Sequence, residues 1–254
     1  MKTLSIVSTK GGVGKTTLAV HVAVAAQKAK LATLVIDLDP QGSAAQWAKD
    51  RQRLAEQHGR WFDTRLEVRR SFANDLQDDV ADARRQGFDL VVIDTPPHAD
   101  SPAARAVEVA DVVLIPVRPG YFDLHAAKAT INLVHNMKAH AFFIVNQVPH
   151  NSQAIGQDAA AFLEGKGIAP APLTITLLQP YVRALRDGLT APEIAPESRT
   201  ADEIGALWTW LADALLTAPT RVVSEAPIAV AEKPTALLAD PFARLRAPIT
   251  EGAA

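Results

Sequence analysis

A lysine- and glycine-rich stretch near the N-terminus constrains this chain more than any other part of its sequence. It follows a β-type run at residues 4–8, precedes an apolar run at 18–29, and reads Lys10-Gly11-Gly12-Val13-Gly14-Lys15-Thr16-Thr17. Glycines let successive backbone N–H groups turn inward around an anion, and a following helix adds unpaired donors and its positive dipole end. The pattern predicts a phosphate-binding loop, in which Lys15 neutralises nucleotide phosphates and the Thr16 hydroxyl is a ligand of Mg²⁺.

The composition suits one α/β domain and gives no general sign of a nucleic-acid-binding or membrane protein. The 254 residues carry a formal charge of −2, so any contact with DNA must come from a local basic patch. The chain has no cysteine, which excludes disulfides and thiolate metal sites. No apolar run approaches the ~18 residues of a membrane span, and the first strand begins without a signal sequence. We therefore expect a soluble, cytoplasmic protein.

Two buried strands are predicted to end in carboxylates. The apolar run at 32–36 leads into Asp37 and Asp39, and the run at 90–93 leads into Asp94. Ligands gather at the carboxyl ends of parallel strands, and a carboxylate at the second of these ends can hold Mg²⁺ through water. For Asp37 and Asp39 an ordinary turn with a helix cap remains an alternative. We do not assign His98 as a base, because phosphoryl transfer depends mainly on positioning and charge.

The rest of the chain alternates predicted strands and helices. Further strands are predicted at 66–68, 112–117, 141–148 and 172–177, and further helices at 44–59, 72–86, 122–137, 154–166 and 200–216. This order predicts an α/β fold with a doubly wound, mostly parallel sheet flanked by helices, of the P-loop NTPase class. We predict a domain over 1–217 and an Ala/Pro-rich, flexible tail over 218–254.

The glycine-rich loop departs from the usual pattern G-x-x-x-x-G-K-[ST] in an informative way. Thr9 stands where that pattern has its first glycine, and the next residue, Lys10, is a second lysine. The segment K-G-G-V-G-K-T-T resembles the deviant Walker A loop of the ParA/MinD family of ATPases, and the chain is most similar to short ParA-type partition ATPases without an N-terminal DNA-reading domain. The resemblance implies that Lys10 reaches across a dimer interface to the partner's nucleotide.

The same resemblance implies roles for residues beyond the loop. Asp39 lies 24 residues after Lys15, as the second acid does in the family's second motif, so it is assigned to orient or activate the attacking water. Asp37 is assigned to the Mg²⁺ shell. Asn146 matches a Val-x-Asn position whose amide can pair with adenine, which favours ATP over GTP. Pro180, which opens the segment leading away from the nucleotide pocket, is included among the nucleotide-binding residues.

The segment 180–192 resembles the region of ParA proteins that leads from the nucleotide to a DNA-binding surface. By position, the basic residues that would contact DNA phosphates are Arg183, Arg186 and, at the start of the last helix, Arg199. Such contacts give affinity without sequence preference. Ordinary surface arginines remain an alternative, because three nearby acids dilute the local field: Asp187, Glu193 and Glu197.

The resemblance as a whole implies a nucleotide switch. ATP and Mg²⁺ would drive homodimerisation, the dimer would bind double-stranded DNA nonspecifically on the nucleoid, and a ParB-like or cargo-adaptor protein would stimulate hydrolysis. The implied role is partition of plasmids or chromosomes, or positioning of another cargo. A MinD-like membrane regulator is an alternative, with Leu238, Phe242 and Leu245 of the tail as its apolar contacts, although membrane binding is not expected. The same tail cluster could instead dock a partner or be inert. A P-loop metabolic enzyme, such as a biotin-pathway synthetase, is a further alternative.

Overall fold

The computed structural model describes residues 1–59, 65–97 and 100–219. His98 and the apolar cluster of the tail lie outside these residues, so the predictions made for them stay as they were. Within the described part of the chain, no helix is long and apolar enough to cross a membrane.

Strands and helices alternate along the described chain. The strands are β1 Lys2–Ile6, β2 Thr33–Asp37, β3 Leu66–Arg70, β4 Leu90–Asp94, β5 Val112–Val117, β6 Ala141–Val148 and β7 Ala169–Thr176. The helices are α1 Lys15–Lys28, α2 Ser43–His58, α3 Leu76–Arg85, α4 Asp100–Val109, α5 Tyr121–Asn136, α6 Gln153–Glu164, α7 Gln179–Arg186, α8 Ala191–Ile194 and α9 Arg199–Thr217.

The strands form one parallel sheet in the order β3-β2-β4-β1-β5-β6-β7, which confirms the predicted fold class. β2, β4 and β5 are buried along their whole length, because helices cover both faces of the sheet. One face carries α1 and α9, whose side chains share a core with Trp47 of α2. The other face is covered by the apolar sides of α3 to α6. This sandwich places the ends of β1, β2 and β4 side by side at one edge.

The predicted elements are present, with shifted ends. The apolar face expected for the last helix is buried in α9: Ile204, Leu207, Trp208, Leu211 and Leu215. The helix expected from residue 72 begins only at Leu76, and Phe72 is exposed. The sequence analysis missed α4, α7 and α8. Pro180 obscured α7, although proline is well tolerated in the first turn of a helix, where its missing N–H costs nothing.

Helix α8 joins the helix of the phosphate loop to the segment that follows α7. The Ala191 N–H donates to Nε2 of His21 in α1 (2.9 Å), so Nδ1 of that ring carries the proton and donates to the Thr17 carbonyl (2.7 Å). Thr190 and Glu193 form a capping box at the start of α8. The His21 ring is almost completely buried, and burial lowers its pKa to about 4.

Helix α2 is bonded to the same segment, which we call the 188–193 junction. Arg51 forms a buried ion pair with Glu193 (2.7 Å) and donates to the Gly188 carbonyl (3.1 Å). Trp47 donates its indole N–H to the Leu189 carbonyl (3.1 Å). Gly188 has φ +69°, and a Cβ there would lie 2.2 Å from the Arg51 backbone nitrogen. The junction therefore requires glycine both for its backbone conformation and for the close approach of α2.

We expect Gly188→Ala to destabilise the protein by about 3 kcal/mol or more, because the left-handed conformation and a backbone clash add together. The matched control is Gly87→Ala, which has φ +83° but no atom within 4 Å of the added Cβ. The control should lose only about 1 kcal/mol. Urea unfolding of both variants measures the difference, and equal losses would show that α2 can move away from the junction.

We also expect His21 to make stability fall in acid. The folded chain keeps His21 neutral down to pH about 4, whereas the unfolded chain takes up the proton near 6.5. The contribution of His21 is therefore complete above pH 6.5 and is lost as the pH falls towards 4, by up to about 1.4 kcal/mol per pH unit. Asp94, whose pKa is raised to about 7, acts in the opposite direction over an overlapping range.

The measurement is therefore the difference between the parent and His21→Gln, which does not titrate. Free energies of unfolding at several pH values between 7 and 4 should converge as the pH falls. A constant difference across this range would contradict the assignment.

Candidate nucleotide site

The predicted phosphate loop lies between β1 and α1, at the edge where the carboxyl ends of β2 and β4 also meet. Gly12 and Gly14 have positive φ angles, 72° and 92°, and α1 begins directly afterwards at Lys15. A Cβ on Gly14 would lie 2.4 Å from the Asn146 side-chain nitrogen. The loop therefore has the backbone conformation that an anion-binding turn needs. Any side chain at position 14 would also clash with Asn146.

Lys15 is a largely buried cation at the centre of the loop. Its ammonium group donates to the Lys10 carbonyl (3.2 Å), so the side chain folds back over its own loop. Burial lowers the pKa of Lys15, while the charges of Asp94 and Asp39 oppose that shift. A desolvated cation surrounded by backbone donors is suited to a phosphate group.

Asp94 lies directly beside the start of α1. The Thr16 hydroxyl donates to Asp94 Oδ2 (2.6 Å), as expected if both residues serve one metal ion. Asp94 is fully buried, its Oδ1 has no hydrogen-bond partner among the described residues, and burial raises its pKa to about 7. A buried carboxylate oxygen without a partner is costly unless a ligand satisfies it.

These oxygen donors fit Mg²⁺. Magnesium is commonly held by one or two protein oxygens together with phosphate oxygens and waters, not by a complete cage of side chains. The described residues contain no group of three or more His, Cys, Asp or Glu side chains that could hold a metal ion by themselves. Thr16 and Asp94 are therefore the residues that would hold the ion.

The two carboxylates at the end of β2, Asp37 and Asp39, accept hydrogen bonds mainly from the local backbone. Asp37 accepts from the Asp39 N–H (3.1 Å) and from the Ala45 N–H in the first turn of α2 (3.0 Å), and burial raises its pKa. Asp39 accepts from the Gln41 N–H (2.9 Å) and is half-buried. Asp37 thus has the helix-capping contacts that the sequence left open as an alternative. Its part in the Mg²⁺ shell, and the catalytic role of Asp39, stay predictions.

A cavity of about 290 Å³ adjoins the loop at Gly14 and is lined largely by apolar side chains, including those of Ile175, Val182 and Leu185. Asn146 and Gln147 line it beside Gly14, and their amides donate to the Val13 and Gly12 carbonyls (2.6 and 2.9 Å). Pro180 is not among the lining residues, but the next residue, Tyr181, is. The sequence analysis assigned no role to Tyr181 or Gln147, although Tyr181 lies in the segment 180–192 and Gln147 directly follows Asn146.

The three arginines assigned to DNA differ in their surroundings. Arg183 and Arg186 are exposed on α7, one helical turn apart. Among the described residues Arg183 makes no ion pair, whereas Arg186 lies 3.4 Å from Asp187. Arg199 is bound by Glu203 of its own helix (2.9 Å) and contacts His150 (3.3 Å). Of the three, Arg183 is thus the exposed arginine without an ion pair among the described residues.

Lys10 is the first residue of the loop, and its side chain lies outside it. Its ammonium group is 3.7 Å from an oxygen of Asp123, in the first turn of α5, and its side chain is about one-third exposed (35%). Sequence reasoning missed Asp123, because nothing in the local pattern indicates that it lies beside the loop. The two lysines of the loop therefore point to different places: Lys15 inward and Lys10 towards the surface.

Comparison with known proteins agrees with this geometry. Residues 4–174 match the model of the CobQ/CobB/MinD/ParA nucleotide binding domain. The chain is 33% identical over 192 residues to a carboxysome distribution protein A of Gloeobacter kilaueensis, covering 74% of this chain and 83% of that protein. It is 27% identical over 158 residues to the chromosome-partitioning ATPase Soj of Thermus thermophilus, covering 55% and 64%.

Among solved structures, the MinD cell division protein of Aquifex aeolicus superposes with a TM-score of 0.68 at 22% identity, over 83% of this chain and 97% of that one. At this identity the likeness concerns the fold alone. The family model and the curated relatives carry the assignment from the fold to the family. The chain belongs to the ParA/MinD family of deviant Walker A ATPases.

Proposed function

We propose that this protein is a ParA-type ATPase that works as a nucleotide switch. Two chains would join face to face when ATP and Mg²⁺ are bound, and hydrolysis would separate them. The observation that carries the proposal is the position of Lys10, whose side chain leaves its own phosphate loop and is partly exposed beside it. A cation in that place is available to the nucleotide of a second chain.

The residues of the loop would divide the work on ATP. Backbone N–H groups from Gly11 to Thr17 would bind the phosphates, and Lys15 would exchange the Lys10 carbonyl for a phosphate oxygen. Thr16 and Asp94 would hold Mg²⁺, which when bound would neutralise charge on the phosphates. Asp39 would orient the attacking water, and Lys10 of the other chain would add positive charge.

The apolar cavity beside the loop is the proposed place of the base. An amide carries two N–H donors and two lone pairs. Asn146 uses one donor on Val13 and one lone pair on the Gln147 N–H, so one of each is left for adenine. Pro180 would act indirectly, by setting the first turn of the helix that carries Tyr181.

The dimer is proposed to bind double-stranded DNA without sequence preference. Arg183 and Arg186 lie on one helix whose following segment, the 188–193 junction, is bonded to α1 and α2. Because α1 starts at the phosphate loop and α2 follows Asp39, this arrangement supports coupling between the nucleotide and the arginines. Arg199 would contribute after leaving Glu203.

The biological role that we propose is cargo positioning in the cytoplasm, with the protein on the nucleoid when ATP is bound. The names of the relatives, carboxysome distribution and chromosome partitioning, support this class of role. A ParB-like or cargo-adaptor protein would stimulate hydrolysis. The identity of the cargo is a separate question, because it depends on surface residues that the relatives need not share.

The first experiment measures binding to random-sequence duplex DNA with ATP, ADP or no nucleotide, over a series of salt concentrations. Binding should require ATP and be lost in Lys10→Ala, because under this proposal the dimer needs the second lysine. Arg183→Glu should weaken DNA binding about tenfold or more. It should also reduce the slope of log K against log [salt] by about one for each chain, because one phosphate contact is lost. Arg84→Glu is the matched control, since it makes the same change on the exposed surface of α3 and should bind like the parent.

Dimerisation with ATP but without DNA binding would overturn the DNA-binding part of this proposal, and the tail would then be tested with liposomes. Turnover that responds to a small metabolite, and not to DNA or a partner protein, would instead favour a metabolic enzyme.

A second prediction concerns Asp94. Because burial raises its pKa from 3.8 to about 7, the folded chain loses stability as the pH rises from about 4 to about 7, and the loss is complete above pH 7, where the carboxylate is ionised in both the folded and the unfolded chain. At pH 8 we expect Asp94→Asn to melt no lower than the parent, yet to lose the increase in melting temperature that Mg²⁺ and ATP cause together.

The control for this prediction is Asp111→Asn. Asp111 is also buried, but its carboxylate accepts the Thr3 N–H (2.8 Å), so its replacement should lower the melting temperature and keep the response to Mg²⁺ and ATP. A large loss of stability in Asp94→Asn without ligand would show that the carboxylate is structural.

A further inference from the structure

Asp123 holds two cations at the edge of the phosphate loop. Its Oδ1 accepts two hydrogen bonds from the Arg118 guanidinium (2.9 and 3.3 Å), and the Lys10 ammonium lies 3.7 Å from the same atom. The carboxylate is only 15% exposed, and it lies in the first turn of α5, where the helix dipole favours a negative charge. The contact joins Lys10 to a residue of the same chain.

This contact competes with the role proposed for Lys10. One ammonium group cannot lie beside Asp123 of its own chain and on the nucleotide of the other chain at the same time. We propose that Asp123 is a positioning residue that retains Lys10 within its own chain, and so sets the concentration at which two chains join. This inference rests on the proposed function, since it assumes the crossing of Lys10 between chains.

The retention is weak enough to be reversible. Both cations are about one-third exposed, but the Arg118 nitrogen lies 2.9 Å from Asp123 Oδ1 and the Lys10 nitrogen 3.7 Å, so the Lys10 pair is of the kind that contributes little. When Lys10 leaves, Arg118 still neutralises the carboxylate, so no unpaired charge is left behind. Arg118 therefore lowers the free energy needed to release Lys10.

The backbone of Lys10 is linked to the same process. Its carbonyl accepts the Lys15 ammonium group (3.2 Å), so Lys10 has contacts at both its backbone and its side chain. Under the proposed function Lys15 moves to a phosphate oxygen, and the contact with Asp123 then holds Lys10 by its side chain. This order would make dimerisation follow nucleotide binding.

The test is the dissociation constant of the dimer, measured by sedimentation equilibrium with Mg²⁺ and the slowly hydrolysed analogue ATPγS. Asp123→Asn keeps the shape of the side chain and removes its charge. We expect it to tighten the dimer about threefold at each of two equivalent sites, about tenfold in total. Arg118→Met should act in the opposite direction, because it leaves Lys10 as the remaining cation beside Asp123.

The matched control is Asp158→Asn, the same change at an exposed position of α6, which should leave the constant unaltered. Asp123→Glu retains the charge and should stay near the parent. An Asp123→Asn dimer that equals the control, or is weaker than the parent, would overturn the inference. If the parent itself stays monomeric with ATPγS, the proposed function fails as well, which distinguishes the two failures.

A second measurement tests the ion pair without nucleotide. The rate at which acetic anhydride modifies the Lys10 amine, read by mass spectrometry, should rise in Asp123→Asn and stay unchanged in Asp158→Asn. An unchanged rate in Asp123→Asn would show that Asp123 does not hold Lys10, whatever the dimerisation constants are.

Discussion

The hydrogen bond between the Thr16 hydroxyl and Asp94 joins two parts of the chain that are 78 residues apart, and the nucleotide site depends on it. It can form only because β1 and β4 are neighbours in the sheet, in a register that pairs Ile6 with Asp94. The same arrangement buries Asp94 completely and leaves its second oxygen without a partner among the described residues. A core that is apolar on both faces thus ends in one polar position that needs a ligand.

Three ionisable side chains of the site are buried, and burial disfavours their charged forms. Lys15 is pushed towards its neutral form, and Asp37 and Asp94 towards their protonated forms, all three mainly by burial. Backbone N–H groups compensate Asp37, and Thr16 partly compensates Asp94. A bound polyanion and a divalent cation would offset the remaining free-energy cost of burying these charges. A loss of stability at a binding site is a common trade-off of this kind.

Two sets of polar contacts link this site to more distant parts of the molecule. On one face of the sheet, His21, Trp47 and Arg51 bind the 188–193 junction beyond the arginines of α7. Near the loop, Asp123 links Lys10 to α5. Both sets consist of directional hydrogen bonds or ion pairs, which depend on position far more than apolar packing does. A shift of the loop or of α2 would therefore change them before it changed the core.

The sequence by itself determined the class of fold and the residues of the phosphate loop. These follow from local rules: apolar runs that only a doubly covered parallel sheet can bury, glycines where the backbone must turn, and a lysine and a threonine at the start of a helix. It also made Asp94 a candidate metal ligand, because a carboxylate at the end of a buried strand is a local signal, and it singled out the unusual lysine at position 10. Helix α7 was missed because a proline in a first turn reads locally as a break.

Only the tertiary structure decided how these residues meet. Three of these meetings join separate elements of the fold. Lys10 pairs with Asp123 of α5, and Asp37 accepts a hydrogen bond from the backbone of α2. His21 and Arg51 bind residues 188–193. Such contacts arise from strand order and helix packing, which set distances between residues far apart in the chain. The local sequence does not determine those distances. A motif can therefore indicate that a residue belongs to a site without showing which side chains will lie beside it.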